Sequence, residues 1–485
     1  MTRTREIEEN RGNCRITVSL GADVSEGYVL RYESNGRSLH HAERFAFPAM
    51  TLGLETPQQL GERLAAQVIA TLDERGEQPD RIACDLYPKF PTTYAAEVLA
   101  EHYQVPMLRM QKCHRAILDA MDVSVESEAA GVSNVLGICL DDLSYGSDGT
   151  LWGGEILEIS GEGFTRLASI HPYQLIGTNM ELRSSTPWQT AVSMLYDLAR
   201  MSHNEDEAIR DFVAKQEASE KVHLLDLCSL NDARAQYIAQ DRNKNTTRST
   251  AASGLFDAAA AILGFQRIST PTERTPMEAL TEAAEAFEQQ AVSVRTEDEV
   301  AHAAYTNVDD SEMSTGEEAP AAQCETNECA EREHKSIVLR GKYESQIDAL
   351  YAKLEKLIAA AEETEDPTLE PGDLWEDTDD GAFSETCVDD SQDILHTEQL
   401  IRLLADERIR YLSSLGKRNY DHPLNRKHPD CGISDENSRL LAWFLLDALA
   451  RIAVQYGRNR AVSDIVFAGD FLRTGILKKR FEEKL

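Results

Sequence analysis

The segment Leu140-Asp141-Asp142-Leu143-Ser144-Tyr145-Gly146-Ser147-Asp148-Gly149-Thr150-Leu151-Trp152-Gly153-Gly154-Glu155 holds the residues best suited to chemistry. An apolar run ends in a carboxylate, a Gly-rich loop follows, and the chain returns into a second apolar run. Glycines let backbone N–H groups approach phosphate oxygens closely. A carboxylate at the strand end can hold a divalent cation that bridges those phosphates. The same spacing also suits a plain Gly/Asp hairpin turn with no ligand. Cys113 beside His114 offers a nucleophile and a base by type, but adjacent helix residues point in different directions. A lone His114 more often serves the core than a ligand set. Cys324 and Cys329 lie among acidic residues, where solvated thiols are the simplest reading and a weak metal tether the alternative.

These residues need elements to place them. Ile16 to Leu20, Gly21-Ala22-Asp23 and Tyr28 to Tyr32 read as strand, turn and strand. Leu60, Leu64, Val68 and Leu72 repeat at helical spacing within a helix from Gln58 to Glu74. Arg81 to Asp85 and Val105 to Met110 read as strands, with helices over Thr92 to His102 and Cys113 to Met121. A second strand-loop-strand unit opens at Val135 and runs through Trp152 to Ile159 and Phe164 to Ile170. Strands alternating with helices predict an α/β layer domain. The repeated opening hairpin predicts a duplicated fold of the actin/sugar-kinase type. Thr186 to Met201, Ser249 to Gly264, Pro276 to Gln290, Ser336 to Glu363, Leu395 to Ser414 and Ser434 to Tyr456 read as helices. Ile465 to Ala468 reads as a buried strand before Gly469-Asp470, and a helix reaches Leu485.

The net charge of −35 is uneven. Residues 297–333 contribute −11 and residues 362–393 contribute −14, leaving about −10 for the remainder. Residues 291–335 and 364–393 have too few large apolar side chains to offset the entropy of ordering them, so disorder is expected. Nucleic-acid binding is disfavoured, because phosphate contacts need clustered Lys and Arg. No run of 18 apolar residues suggests a membrane span. The charged start of the chain lacks a secretory apolar region. The nine cysteines form no CxxC pair, which points to reduced thiols and a cytoplasmic setting.

The run Tyr145-Gly146, Asp148-Gly149 and Trp152-Gly153-Gly154-Glu155 resembles the carbamoyltransferase (C-terminal) domain of the hydrogenase-maturation protein HypF and the related antibiotic O-carbamoyltransferases. Further segments are similar in the same order. They are Ala83-Cys84-Asp85-Leu86-Tyr87-Pro88, Pro187-Trp188, Ser249-Thr250 with Leu255-Phe256-Asp257, and Phe467-Ala468-Gly469. The resemblance covers residues 14–290 and 434–485. It implies a two-lobed, duplicated RNase-H-like fold of the actin/sugar-kinase superfamily, with a largely helical, acidic insertion. The expected divisions are a tail at 1–13, a first lobe at 14–130 and a second lobe at 131–290. The insertion follows at 291–395, and 396–485 completes the second lobe in a C-terminally truncated form.

The implied activity is transfer of a carbamoyl group from carbamoyl-adenylate to an acceptor, in the family the C-terminal cysteine of HypE. Implied nucleotide-binding residues are Asp141, Tyr145, Gly146, Asp148, Gly149, Gly153, Gly154, Glu155, Ser249, Thr250, Gly469 and Asp470. The implied cofactor is ATP or carbamoyl-adenylate with magnesium. The implied partners are a HypE-like acceptor and a separate YrdC-like protein. No catalytic residue is assigned. The family's metal-binding histidines fall on Lys112 and Ala116, leaving Asp141 and His114 as candidate ligands and making a transition metal doubtful. Ser25 replaces the family's first-hairpin lysine, and Ser253-Gly254 replaces its Gly-Arg. A non-catalytic nucleotide- or partner-binding relative is the second expectation. A small-molecule kinase is the third, because Gly469-Asp470-Phe471-Leu472-Arg473 also resembles a segment of type II pantothenate kinases.

Overall fold

A computed structural model describes residues 14–21, 24, 27–34, 41–47, 56–124, 135–160, 163–176, 187–202, 247–265, 275–290, 340–362, 393–414, 435–460, 464–473 and 475–485. The expected disorder of 291–335 and all but residue 393 of 364–393 lies outside the described residues, as does Ser25.

The first lobe is a five-stranded sheet of β1 (Cys14–Leu20), β2 (Tyr28–Ser34), β3 (His41–Phe45), β4 (Arg81–Asp85) and β5 (Met107–Met110). Its order is β3-β2-β1-β4-β5, with β1 antiparallel to β2 and parallel to β4. Helix α1 (Pro57–Arg75) starts with the capping box of Thr56 and Gln59 and ends at Gly76, whose φ of 64° suits a residue without Cβ. Leu64, Val68 and Leu72 on its inner face are fully buried, each stabilising the lobe by about 1.5–3 kcal/mol relative to exposure. Helix α2 (Pro91–Tyr103) begins one residue earlier than the threonines suggested, at a proline. Thr93 turns inward and donates to the Tyr87 carbonyl, 2.8 Å away.

Helix α3 (Lys112–Ser124) follows β5 and packs on the second sheet as well as on β3. That second sheet holds β6 (Val135–Tyr145), β7 (Leu151–Ser160), β8 (Gly163–Ile170) and β12 (Asp464–Ala468). β6 is antiparallel to β7 and parallel to β12, while β7 is antiparallel to β8. The order β8-β7-β6-β12 therefore repeats β3-β2-β1-β4 of the first lobe, and the chain has the duplicated RNase-H-like α/β fold. Short strands β9 (Tyr173–Leu175), β10 (Thr247–Ser249) and β11 (Asp393–Leu395) extend this sheet. Periodicity did not reveal them, since three residues carry no period.

Layers cover both faces of the second sheet. One side carries α4 (Pro187–Ser202), α5 (Ala252–Leu263), a helix at 276–290 (α6) and α7 (Arg340–Glu362). It also carries α8 (Glu398–Ser414), α9 (Glu436–Arg458) and α10 (Gly475–Lys484), together enclosing the largest core. Helix α9 is long and apolar enough to cross a membrane, yet 78% of its apolar window is buried inside the protein. The expected helix at Ser249 to Gly264 divides: Ser249 ends β10, and α5 begins only at Ala252. The expected helix at Leu395 to Ser414 likewise begins at Glu398, after β11 has joined β8 in parallel. Residues 393–395, placed in the insertion by composition, thus belong to the second sheet.

Candidate functional site

The two-residue period of β6 determines which of its side chains meet helix α3. Leu136, Ile138 and Leu140 point to the large helical core, so Gly137, Cys139 and Asp141 point to α3. A Cβ on Gly137 would collide with the Ile117 side chain, and the Cys139 thiol is hydrogen bonded to Cys113. Asp141, the next residue on that face, meets the first residue of α3: Lys112 Nζ donates to Asp141 Oδ1 at 2.9 Å. The carboxylate side chain is 2% exposed and the lysine side chain 9%. Burial pushes the Asp141 carboxyl up, Lys112 pulls it back, and the negative Asp470 pushes it up again. Asp470 stands beside it because β12 runs parallel to β6, with Ala468 opposite Cys139. Gly469, at φ +89°, lies where a Cβ would sit 2.2 Å from the Leu140 carbonyl oxygen, so the chain crosses here only as glycine.

Beyond Asp141 the β6–β7 register shifts between Leu140 and Ser144. Asp142 is exposed and accepts from Ser253 Oγ at 2.6 Å. Burial, then the charge of Asp142, pushes the neighbouring Asp257 carboxyl well above the usual range. The hairpin tip closes through Gly146 N to Thr150 O at 2.9 Å, with Gly149 at φ +78°. Asp148 Oδ1 accepts from the Thr150 backbone, the Thr150 hydroxyl and Trp152 Nε1. Gln111 reaches across from the end of β5 to Ser144 Oγ and the Tyr145 carbonyl. Tyr145 stacks on Tyr87 of the first lobe, ring centres 4.7 Å apart.

Glu155 lies at the root of the hairpin, 1% exposed. Its oxygens accept from the Gly153 and Gly154 amides, from Thr250 Oγ1 and from Arg166. The Arg166 guanidinium also holds Asp148 Oδ2 at 2.8 Å and lies 3.9 Å over the Trp152 ring. Glu155 and Asp148, expected to contact nucleotide, spend these oxygens on shaping the loop. Thr250 joins the same network, while Ser249 Oγ accepts from Ala251 N at 3.0 Å. Arg166 was missed in the sequence reading. The available signal was an arginine at an inward position of β8, between Phe164 and Ala168.

His114, the other candidate ligand, is fully buried and packs 4.8 Å from the Phe164 ring. Ala116 brings no donor atom. Among the described residues no group of three or more His, Cys, Asp or Glu side chains is arranged to hold a metal ion. The family's transition metal therefore does not fit this donor set, and no chemistry is routed through one.

A family model described as "Carbamoyltransferase, Kae1-like Domain, second subdomain" matches residues 137–347, which begin in β6 and include the whole hairpin. A carbamoyltransferase HypF homolog of Cupriavidus necator is 31% identical over 203 residues, covering 42% of this chain and 46% of that protein. Carbamoyltransferase HypF of Rhizobium leguminosarum bv. viciae is 30% identical over 275 residues, covering 56% and 32%. The chain thus spans less than half the length of these curated relatives. A crystal structure of full-length HypF in a phosphate- and nucleotide-bound form shares the fold at a TM-score of 0.52 and 16% identity, over 97% of this chain and 50% of that one. The matched segment opens on the Asp141–Glu155 hairpin, and over residues 137–347 the chain is a divergent relative of the HypF carbamoyltransferases.

Proposed function

We propose that this chain is a carbamoyltransferase domain whose cleft, floored by Asp141 and Gly469-Asp470, takes ATP or carbamoyl-adenylate with magnesium. The observation that carries this reading is the Asp141–Glu155 hairpin: a rigid Gly-rich loop at the lobe junction, inside the segment the family model matches. Support comes also from a solved HypF with the same fold that binds phosphate and nucleotide. The Glu155–Arg166–Asp148 network holds the loop shape without a ligand, so its backbone is preorganised for binding. After activation by a separate YrdC-like protein, the carbamoyl group would pass from carbamoyl-adenylate to a thiol of a HypE-like acceptor in the cytoplasm, forming the C–S bond as AMP leaves and the thiol proton is lost.

Calorimetric titration of ATP and Mg²⁺ into the purified protein tests the binding part, and absence of saturable binding overturns it. Carbamoyl transfer is tested by supplying carbamoyl-adenylate through a YrdC-like protein and weighing the acceptor by intact mass. A second reading, a nucleotide- or partner-binding relative without transfer, is favoured by the Lys112–Asp141 pair that fills the cleft floor. Binding without any mass gain on the acceptor selects it.

A further inference from the structure

We propose that Lys112 is the resident cation beside Asp141, standing in for a protein-bound transition metal, so that Asp141 needs no such metal, whatever magnesium a nucleotide carries in. The proposal uses the family reading only to say which helix positions would otherwise ligate. Three observations carry it. The first is placement: the β6 face that carries Gly137 and Cys139 against α3 delivers Asp141 to the first residue of that helix. The second is charge. Asp141, Asp142 and Asp470 gather at the ends of β6 and β12, and Asp141 is too buried to be screened by water. Arg473 pairs with Asp470 at 3.0 Å, and Lys112 pairs with Asp141. The third is the donor set. One helical turn beyond Lys112 stands Ala116, the Cys113 thiol is hydrogen-bonded to the Cys139 thiol, and His114 is packed on Phe164. A divalent ion binding Asp141 Oδ1 would have to sit against an ammonium 2.9 Å from the same oxygen, in a region where like charges repel strongly.

The site therefore carries a charge that cannot be chelated away, supplied at a fixed position by a helix that packs on both lobes. A lysine is a compact ammonium on a flexible stem, so it can neutralise a carboxylate without the ligand geometry a metal demands.

The test begins with the unaltered protein, dialysed against Zn²⁺ and separately against Fe²⁺ under anaerobic conditions, then desalted and analysed for metal. We expect well below one equivalent of either metal. One equivalent retained by the native protein and lost in Asp141→Asn would overturn the proposal. The double variant Lys112→His with Ala116→His places two imidazoles one turn apart beside Asp141, and should gain one equivalent of zinc. If that variant folds, by circular dichroism, and gains none, the site is not metal-shaped and the stand-in reading is overturned.

Lys112→Met leaves Asp141 buried without its cation. Its Tm should fall and should recover by several degrees on adding Mg²⁺ or Zn²⁺, while the native Tm stays unchanged. Recovery absent in a folded Lys112→Met protein counts against the proposal. Failure of ATP to bind would sink the functional reading above and leave these metal results standing, so the two failures are distinguishable.

Discussion

Glu155 and Asp141 are buried carboxylates at the two ends of one hairpin, yet their surroundings differ in kind. Glu155 is met by two backbone amides, a threonine hydroxyl and a guanidinium, all from the second lobe. Asp141 is met by its neighbour's amide and by one ammonium, from a helix that also packs on β3, and it faces another carboxylate, Asp470. The first arrangement satisfies a charge and fixes a shape. The second leaves a charge raised in energy at the cleft floor, which is how binding and catalytic sites are commonly built. Residue type at the two positions is nearly the same, so only the number and origin of the donors separates a satisfied carboxylate from one raised in energy.

The comparison breaks most sharply at Arg166. Arg166→Met should leave Glu155 buried without its cation and release Asp148 from the hairpin root. Losing one partner of a buried pair costs about 3–5 kcal/mol. Urea unfolding should show a loss of that size, and a loss below about 1 kcal/mol would mean the pair is not the scaffold described here.

Asp141→Asn should be far milder. Because the folded Asp141 carboxyl is raised above 3.8, the folded state holds a proton that the unfolded chain has already released. Stability must then fall as pH rises from that value through the raised folded pKa. An amide removes this penalty but weakens the lysine contact, so a net change within about 1.5 kcal/mol is expected. Measuring unfolding of the native protein and Asp141→Asn across acid pH would show the Asp141 share of the fall lost in the variant, and identical profiles would remove Asp141 as its source.

The smallest effect concerns a third buried carboxylate, Glu398, which faces His171 at 3.3 Å and His396 at 3.2 Å. Burial pushes the Glu398 carboxyl up, but His171, His396 and Gln399 together hold it below its usual 4.5. The Glu398 hydrogen bond holds the His396 imidazole above 6.5 against its partial burial, with Glu362 adding to the pull. The raised histidine contributes fully below 6.5, and that contribution is lost as pH rises through its folded pKa. The lowered carboxylate contributes above 4.5, and its share is lost as pH falls through its folded pKa. Between pH 4.5 and 6.5 both are present. His396→Gln should flatten the alkaline limb of a profile of unfolding free energy against pH by less than about 1 kcal/mol, since His396 is partly exposed. An unchanged alkaline limb would remove His396 as its source.

What the sequence could show follows from how far each signal reaches along the chain. Helix α1 was legible to within one residue at each end, because its four apolar residues repeat locally, while the Thr56/Gln59 box and Pro57 that set its start were not read. The hairpin at 145–155 was legible for the same reason. Its glycines demand a turn, and the apolar runs on either side alternate. The partners of Asp148 and Glu155 were not legible, because Arg166 comes from the next strand and Thr250 lies 95 residues beyond Glu155. The strands β10 and β11 were hidden for a similar reason. Their three-residue ladders are decided by β7, β8 and β9, not by their own composition. Replacement of ligating histidines by Lys112 and Ala116 could be read from the sequence, whereas docking of the lysine on Asp141 needed the two-residue alternation of β6 to be aligned with α3.

Helix α3 gives the molecule a mechanical character. It is covalently the last element of the first lobe, and Asp119 on it pairs with Arg31 of β2 and Arg44 of β3. Along its other side it is bolted to β6, β7 and β12 through Ile117, Cys113 and Lys112. Two bodies that share a shaft cannot slide apart without tearing one set of contacts. The Tyr87–Tyr145 stack ties the same two bodies through two rings and no charge, whereas the Lys112–Asp141 pair ties them through a buried ion pair on the shaft itself.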